Sequence, residues 1–204
     1  MAEEKTRTDA WEIVTRYVQD RGLQRHMEAV GVSMRAYADM LGEDPGAWET
    51  IGVLHDFDWE IHPDLERHPL KGADILRAEG WSEEIIHPIL AHNTEGTGVE
   101  REQPVDFALM ACDEITGLII ATTLVRPSMD INDVSVKSVR KKWKNRNFAA
   151  GVDRDEVTTV TAEFSDACFG GQLDLWDHVA NVLTAMQAAA PELDLDGRLV
   201  ASAD

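Results

Sequence analysis

Apolar residues recur at three- and four-residue steps along most of the chain. Leu23, Met27, Val30, Met34, Tyr37 and Leu41 form one such stripe, the spacing of a single face of an α-helix. Asp44-Pro45 reads as a helix start, with the carboxylate capping free N–H groups and proline at the first helical position. A helix from about His68 to Glu79 closes at Gly80, which accepts the left-handed conformation of a helix end. Ser82 caps the next helix, and Glu83-Glu84 sit at its positive end. A long apolar helix from Val105 to about Leu124 is stopped by Arg126-Pro127. Asp153 with Glu156 reads as a capping box for a helix to about Cys168, and Leu173 to Ala189 forms the last helix. Residues 190–204 read as a loose tail. No stretch alternates as a strand would, and no repeat is visible. The expectation is an all-α bundle with short connections, one domain over 1–189 with C-terminal helices over 135–189.

Composition sharpens this picture. With 204 residues and 44% hydrophobic content, the chain can bury a substantial core. The longest apolar run considered, Gly117 to Val125, is too short to cross a membrane, and the start Met1-Ala-Glu-Glu-Lys lacks the apolar segment of a secretory signal. Cys112 and Cys168 sit within helical patterns as small apolar residues. These features point to a cytoplasmic location as the expectation. The net charge of −19 repels nucleic acid polymers, membrane surfaces and free nucleotides at long range. One stretch reverses the sign. Lys137, Arg140, Lys141, Lys142, Lys144 and Arg146 lie in a segment without an acid between Val134 and Val152. It reads either as a place that meets an anionic substrate or as a solvated helix face paired with the acidic remainder.

The chemistry lies in six ordered side chains: His26, the adjacent pair His55-Asp56, His68, His92 and Asp113. Four of the seven histidines belong to this series. Any one of them alone is more simply a core histidine. Asp113 falls four residues after Leu109 and three before Thr116, toward the inward side of its helix, where an acid needs a metal or a basic partner. Mixed imidazole and carboxylate donors suit iron, manganese, cobalt, nickel or zinc better than calcium.

The order His…His-Asp…Asp, carried by His26, His55, Asp56 and Asp113, resembles the HD superfamily of metal-dependent phosphohydrolases, an all-helical fold. The resemblance implies a metal-binding core over 23–124. The segment His68-Pro-Leu-Lys-Gly-Ala-Asp-Ile-Leu76 resembles the His-Pro segment of the HD-GYP branch, and Ala91-His-Asn-Thr-Glu-Gly-Thr-Gly98 resembles a reduced form of the segment that follows it. It implies that His68 and His92 bind a second ion with Asp56 bridging. The sequence departs from that branch in having Asn93 in place of a second histidine, no Gly-Tyr-Pro after Gly98, and Phe57-Asp58-Trp59 where a Gly-Lys usually follows the pair. The missing lysine points away from both cyclic-dinucleotide cleavage and the related diiron oxygenation, and toward a smaller phosphohydrolase. The stretches from Val136 to Lys144 and from Phe148 to Arg154 are similar to the C-terminal part of small bacterial HD proteins.

The implied reaction is hydrolysis of a small phosphate ester, such as a nucleotide, by metal-activated water, with one or two divalent transition-metal ions. A bound divalent ion lowers the pKa of water from about 15.7 to about 7, and phosphoryl transfer then needs positioning and charge neutralisation. Lys71, one helical turn after His68, is a candidate for meeting phosphate or an exposed helix lysine. Lys137, Arg140 and Lys141 are further phosphate-binding candidates. Asp58 is expected to assist proton transfer or to orient a ligand imidazole. Trp59 and Trp81 are candidate walls of a substrate site, though core packing accounts for most tryptophans. The rival readings are a diiron oxygenase on the same ligands and a non-catalytic nucleotide-binding module. The apolar helix and the tryptophans permit a homodimer.

Overall fold

The computed structural model describes residues 5–201. Among these residues there are eleven helices and no strand, so the chain is all-α. It divides into two compact units, one ending at Leu109 and the other beginning at Met110.

The first unit contains α1 (Arg7–Tyr17), α2 (Arg21–Leu41), α3 (Pro45–Leu54), α4 (Leu70–Ala78), α5 (Glu83–Ala91), α6 (Thr94–Thr97) and the start of α7 (Pro104–Leu124). Capping fixes several boundaries. The Asp44 carboxylate accepts the N–H groups of Gly46 and Ala47, and α3 starts at Pro45 as the sequence suggests. Gly80 takes a φ of 82° just after α4. Ser82 stands at the N-cap of α5 but makes no capping hydrogen bond, so the acids Glu83 and Glu84 alone complement that helix end.

The apolar stripe of α2 is buried at Met27, Val30, Met34 and Tyr37 and packs on α3. The two backbones approach closely at Gly31 and Gly52. A Cβ on Gly52 would lie 2.7 Å from the Gly31 Cα, so side chains there would force the helices apart. This contact sets α2, which carries His26, against the end of α3, where His55 and Asp56 follow.

The second unit holds the rest of α7, a 3-10 turn at Ile131–Asp133, α8 (Val136–Trp143), α9 (Arg154–Phe169), α10 (Leu175–Ala188) and α11 (Arg198–Ala201). Asp153 caps α9 by accepting from the N–H groups of Asp155 and Glu156. The guanidinium of the buried Arg154 donates to the carbonyls of Phe148, Ala149 and Val152, fixing the turn before α9. Trp143 of α8 meets Trp176 of α10 edge to face, with the ring centroids 5.6 Å apart.

Two expectations are corrected. The start of the supposed loose tail is packed. Leu193 and Leu195 are fully buried, and the Leu195 carbonyl accepts the Ile131 N–H at 2.7 Å, because alternate leucines give this segment an apolar face. Residues 202–204 lie outside the described residues. In addition, α7 is long and apolar enough to cross a membrane by length and composition, with a mean hydropathy of 1.6 over 18 residues. Gly117 begins only the last part of this apolar helix. Of that window 61% is buried, as in a core helix.

Candidate metal centre

Five of the six expected ligands converge in the first unit, and Asp56 stands at their centre. Its Oδ2 lies 3.9 Å from His26 Nε2 and 3.6 Å from His55 Nε2. Its Oδ1 lies 3.2 Å from His68 Nε2 and 3.7 Å from His92 Nε2. One carboxylate thus faces two pairs of imidazoles, one pair at each oxygen. One ligand atom from each of Asp56, His68 and His92 lies within 4.8 Å of the others. The His68 and His92 Nε2 atoms are 3.0 Å apart.

The imidazoles are held by their other nitrogens. His55 Nδ1 meets the Gly52 carbonyl at 2.7 Å, and His92 Nδ1 meets the Ile89 carbonyl. Each pairing is three residues back in the chain, the natural reach of a histidine at a helix C-terminus. A carbonyl can only accept, so Nδ1 carries the proton and Nε2 offers a lone pair toward Asp56. His68 comes from the turn before α4 and is held by Asp58. The Asp58 Oδ1 lies 2.7 Å from His68 Nδ1, and its Oδ2 accepts the Gly72 N–H at 2.8 Å. Gly72 is required there: a Cβ would lie 2.7 Å from the Asp58 carboxyl carbon.

Electrostatics follow from this arrangement. Burial pulls the His68 imidazole down, but hydrogen bonds and charges from Asp56 and Asp58 outweigh it and raise the pKa to about 9. The position therefore favours positive charge. The imidazoles of His55, His68 and His92, each oriented by a partner behind it, together with His26 and the central carboxylate form a donor set that fits a divalent metal. His55 and His68 are 0% and 2% exposed, whereas the side chains of Asp56 and His26 are 18% and 20% exposed, so the centre opens on their side. Trp59 flanks His68 edge to face at 5.0 Å, while Trp81 is buried in the core.

Asp113 is half-buried on α7 in the second unit, where its carbonyl accepts the Thr116 hydroxyl. Asp58 is fully buried with both oxygens engaged, the arrangement of a residue that orients His68. It has no free face for the proton exchange with substrate that the sequence also allowed. Lys71 extends to Asp74 at 3.0 Å on the surface of α4, because an acid three residues on captures an exposed lysine. Lys137, Arg140 and Lys141 lie on α8 in the second unit, with the Arg140 guanidinium 4.3 Å from the Trp176 ring centroid.

Sequence reasoning missed two supports. Asn93, noted only as a departure, donates to the His68 carbonyl at 2.9 Å and accepts the Gly96 N–H at 3.1 Å, tying α6 to the His68 turn. Its signal was an asparagine three residues before a glycine, a cap pattern. Gly72 gave no local signal, since its role depends on a carboxylate fourteen residues earlier.

The comparisons agree with this geometry. The HD domain family matches residues 23–117. Similar curated proteins include Ribonuclease Y of Oleidesulfovibrio alaskensis, 31% identical over 96 residues, which are 47% of this chain and 18% of that protein. Ribonuclease Y of Cutibacterium acnes is 33% identical over 78 residues, covering 37% of this chain and 14% of that protein. The matches thus span under a fifth of these relatives. No solved structure matches the chain. Residues 23–117, just under half of the chain, are thus similar to the HD domain family.

Proposed function

We propose that this protein is a metal-dependent phosphohydrolase acting on a small phosphate ester such as a nucleotide. The observation that carries the reading is Asp56, whose two oxygens each face a pair of imidazole Nε2 atoms. Asp56 would contribute to holding the metal on both of its oxygens. His26 and His55 would hold one ion. His68 and His92 would hold the other. Bound divalent ions supply charge neutralisation and acidify a water molecule to near neutral pH.

The chain's own residues do the positioning. Asp58 keeps His68 Nε2 directed at Asp56, and the Gly52 and Ile89 carbonyls do the same for His55 and His92. Trp59 shields one edge of His68 from solvent. Substrate would enter on the side of Asp56 and His26, where the centre is open.

A second reading, cleavage of RNA, is favoured by the relatives named Ribonuclease Y. The net charge of −19 opposes a polyanion, so the small phosphate ester is preferred. The reading includes a cytoplasmic location without a membrane partner.

The test is a panel of phosphomonoesters, nucleotides and a short RNA, each with manganese, cobalt, nickel or iron. Phosphate release from small esters, lost in His55→Ala and Asp56→Ala, is expected. Inactivity across the panel in protein shown to contain metal would overturn the proposal, and cleavage of RNA alone would replace it with the second reading.

A further inference from the structure

The second unit contains a cavity of about 710 Å³ between the end of α7 and α8. That volume is within the roughly 300–1,000 Å³ of small-molecule sites. Its polar wall has a simple origin in sequence. Thr122 and Arg126 are four residues apart, at the end of α7 and just beyond it. Ser138, Lys141 and Lys142 share one face of α8 at steps of three and four residues. Three cations therefore converge on one cavity in a chain whose net charge is −19.

These cations differ from most others in the protein. Eight arginines, from Arg7 to Arg198, lie within ion-pair distance of a carboxylate. Among the described residues, Arg126, Lys141 and Lys142 form no such pair, although Asp133 is on the same wall. Arg126 instead reaches the Ser138 hydroxyl at 3.5 Å, and the Lys142 ammonium sits 4.3 Å from the Phe148 ring centroid. Thr122, 1% exposed, has a hydroxyl with no hydrogen-bond partner among the described residues. An acid-rich protein supplies ready partners for any cation, so a cavity that gathers three cations against one acid, with none of them ion-paired, has a net positive lining arranged for an external anion.

We infer that this cavity binds a small phosphorylated molecule, with Arg126, Lys141 and Lys142 meeting its phosphate oxygens and Ser138 and Thr122 supplying neutral donors. Phosphate suits the site because planar guanidinium, ammonium and hydroxyl donors together match its several acceptor oxygens. The site does not depend on the phosphohydrolase reading, since all its residues lie in the second unit.

The experiment is calorimetric titration of inorganic pyrophosphate into the full chain carrying His55→Ala and treated with chelator, which silences the metal centre. Saturable binding of one pyrophosphate per chain is expected. Arg126→Gln with Lys142→Gln should weaken it about tenfold or more. Lys137→Gln with Lys144→Gln removes the same charge outside the cavity and should change it by no more than about twofold. Should Arg126→Gln impair folding, Lys141→Gln with Lys142→Gln on the surface of α8 replaces it. Equal losses in the two double variants, or the absence of saturable binding, would overturn the inference. So would a short single-stranded RNA that binds more tightly than pyrophosphate and loses its binding in the cavity variant, since the surface would then serve a polymer.

Discussion

Two histidines of this protein are almost equally buried and end in opposite electrostatic states. His178, on α10 in the second unit, is 0% exposed, meets the Ala111 carbonyl with Nε2 at 2.8 Å, and packs edge-on to Phe164. Burial pulls its pKa down to about 4. His68 in the first unit is 2% exposed, and its pKa is raised to about 9. Both lose water, and both meet an acceptor. The difference is that His68 has Asp58 behind it and Asp56 in front. Burial alone makes a histidine a neutral core residue; acids on both nitrogens make its place one that attracts a cation.

The comparison breaks most severely if Asp56 is removed. Asp56→Ala takes away the carboxylate that faces all four imidazoles, so activity on any phosphate ester is expected to fall on the order of 10³-fold or more. Elemental analysis of anaerobically purified protein should show the variant nearly free of metal. His55→Ala should behave alike. Asp113→Ala tests the sixth ligand expected from the sequence order and should remove about half of the bound metal of a two-ion protein. Wild-type metal content and turnover in Asp56→Ala would dismiss the centre. Two irons per chain together with oxygen uptake would favour oxygenase chemistry on the same residues.

Much of this was legible in the sequence because the signals are local or ordered. Asp44-Pro45, Gly80 and Asp153 mark helix ends through groups that bond within a few residues. The HD series was readable because each expected ligand falls in order along the chain. What stayed hidden depends on chain segments that fold back on each other. Nothing near Asp58 announces that its two oxygens will be used by His68 and Gly72. Asn93 looks like a lost ligand until its amide is seen holding the His68 carbonyl. Leu193 and Leu195 look like part of a tail until Ile131 bonds to that segment.

The other side of the comparison is tested by acid. The folded His178 value of about 4 is below the ordinary 6.5, so the unfolded chain takes up this proton first. Stability from this residue is complete above about pH 6.5, declines as pH falls toward 4, and is lost below it. The loss is on the order of 3 kcal/mol. Urea unfolding in chelator, followed between pH 7 and 4, should show a shallower decline for His178→Gln than for the wild-type chain. Identical pH slopes would mean that His178 is not held neutral by the core.

The mildest perturbation distinguishes orientation from ligation. Asp58 touches His68 Nδ1 and the Gly72 N–H. Loss of such a supporting carboxylate typically weakens metal binding by about 10–100-fold. Asp58→Asn retains an oxygen to accept from His68 but drops the charge, so it should lie near the lower end, and Asp58→Ala near the upper. In the proposed two-ion centre, the loss should be confined to the ion that His68 and His92 would hold, leaving the one that His26 and His55 would hold at close to wild-type affinity in a stepwise metal titration. Gly72→Ala should mimic the effect without touching an acid, since its Cβ would press on the Asp58 carboxylate. If both ions weaken together, Asp58 supports the fold of the whole centre rather than the direction of one imidazole, and the contrast between His68 and His178 then rests on Asp56 alone.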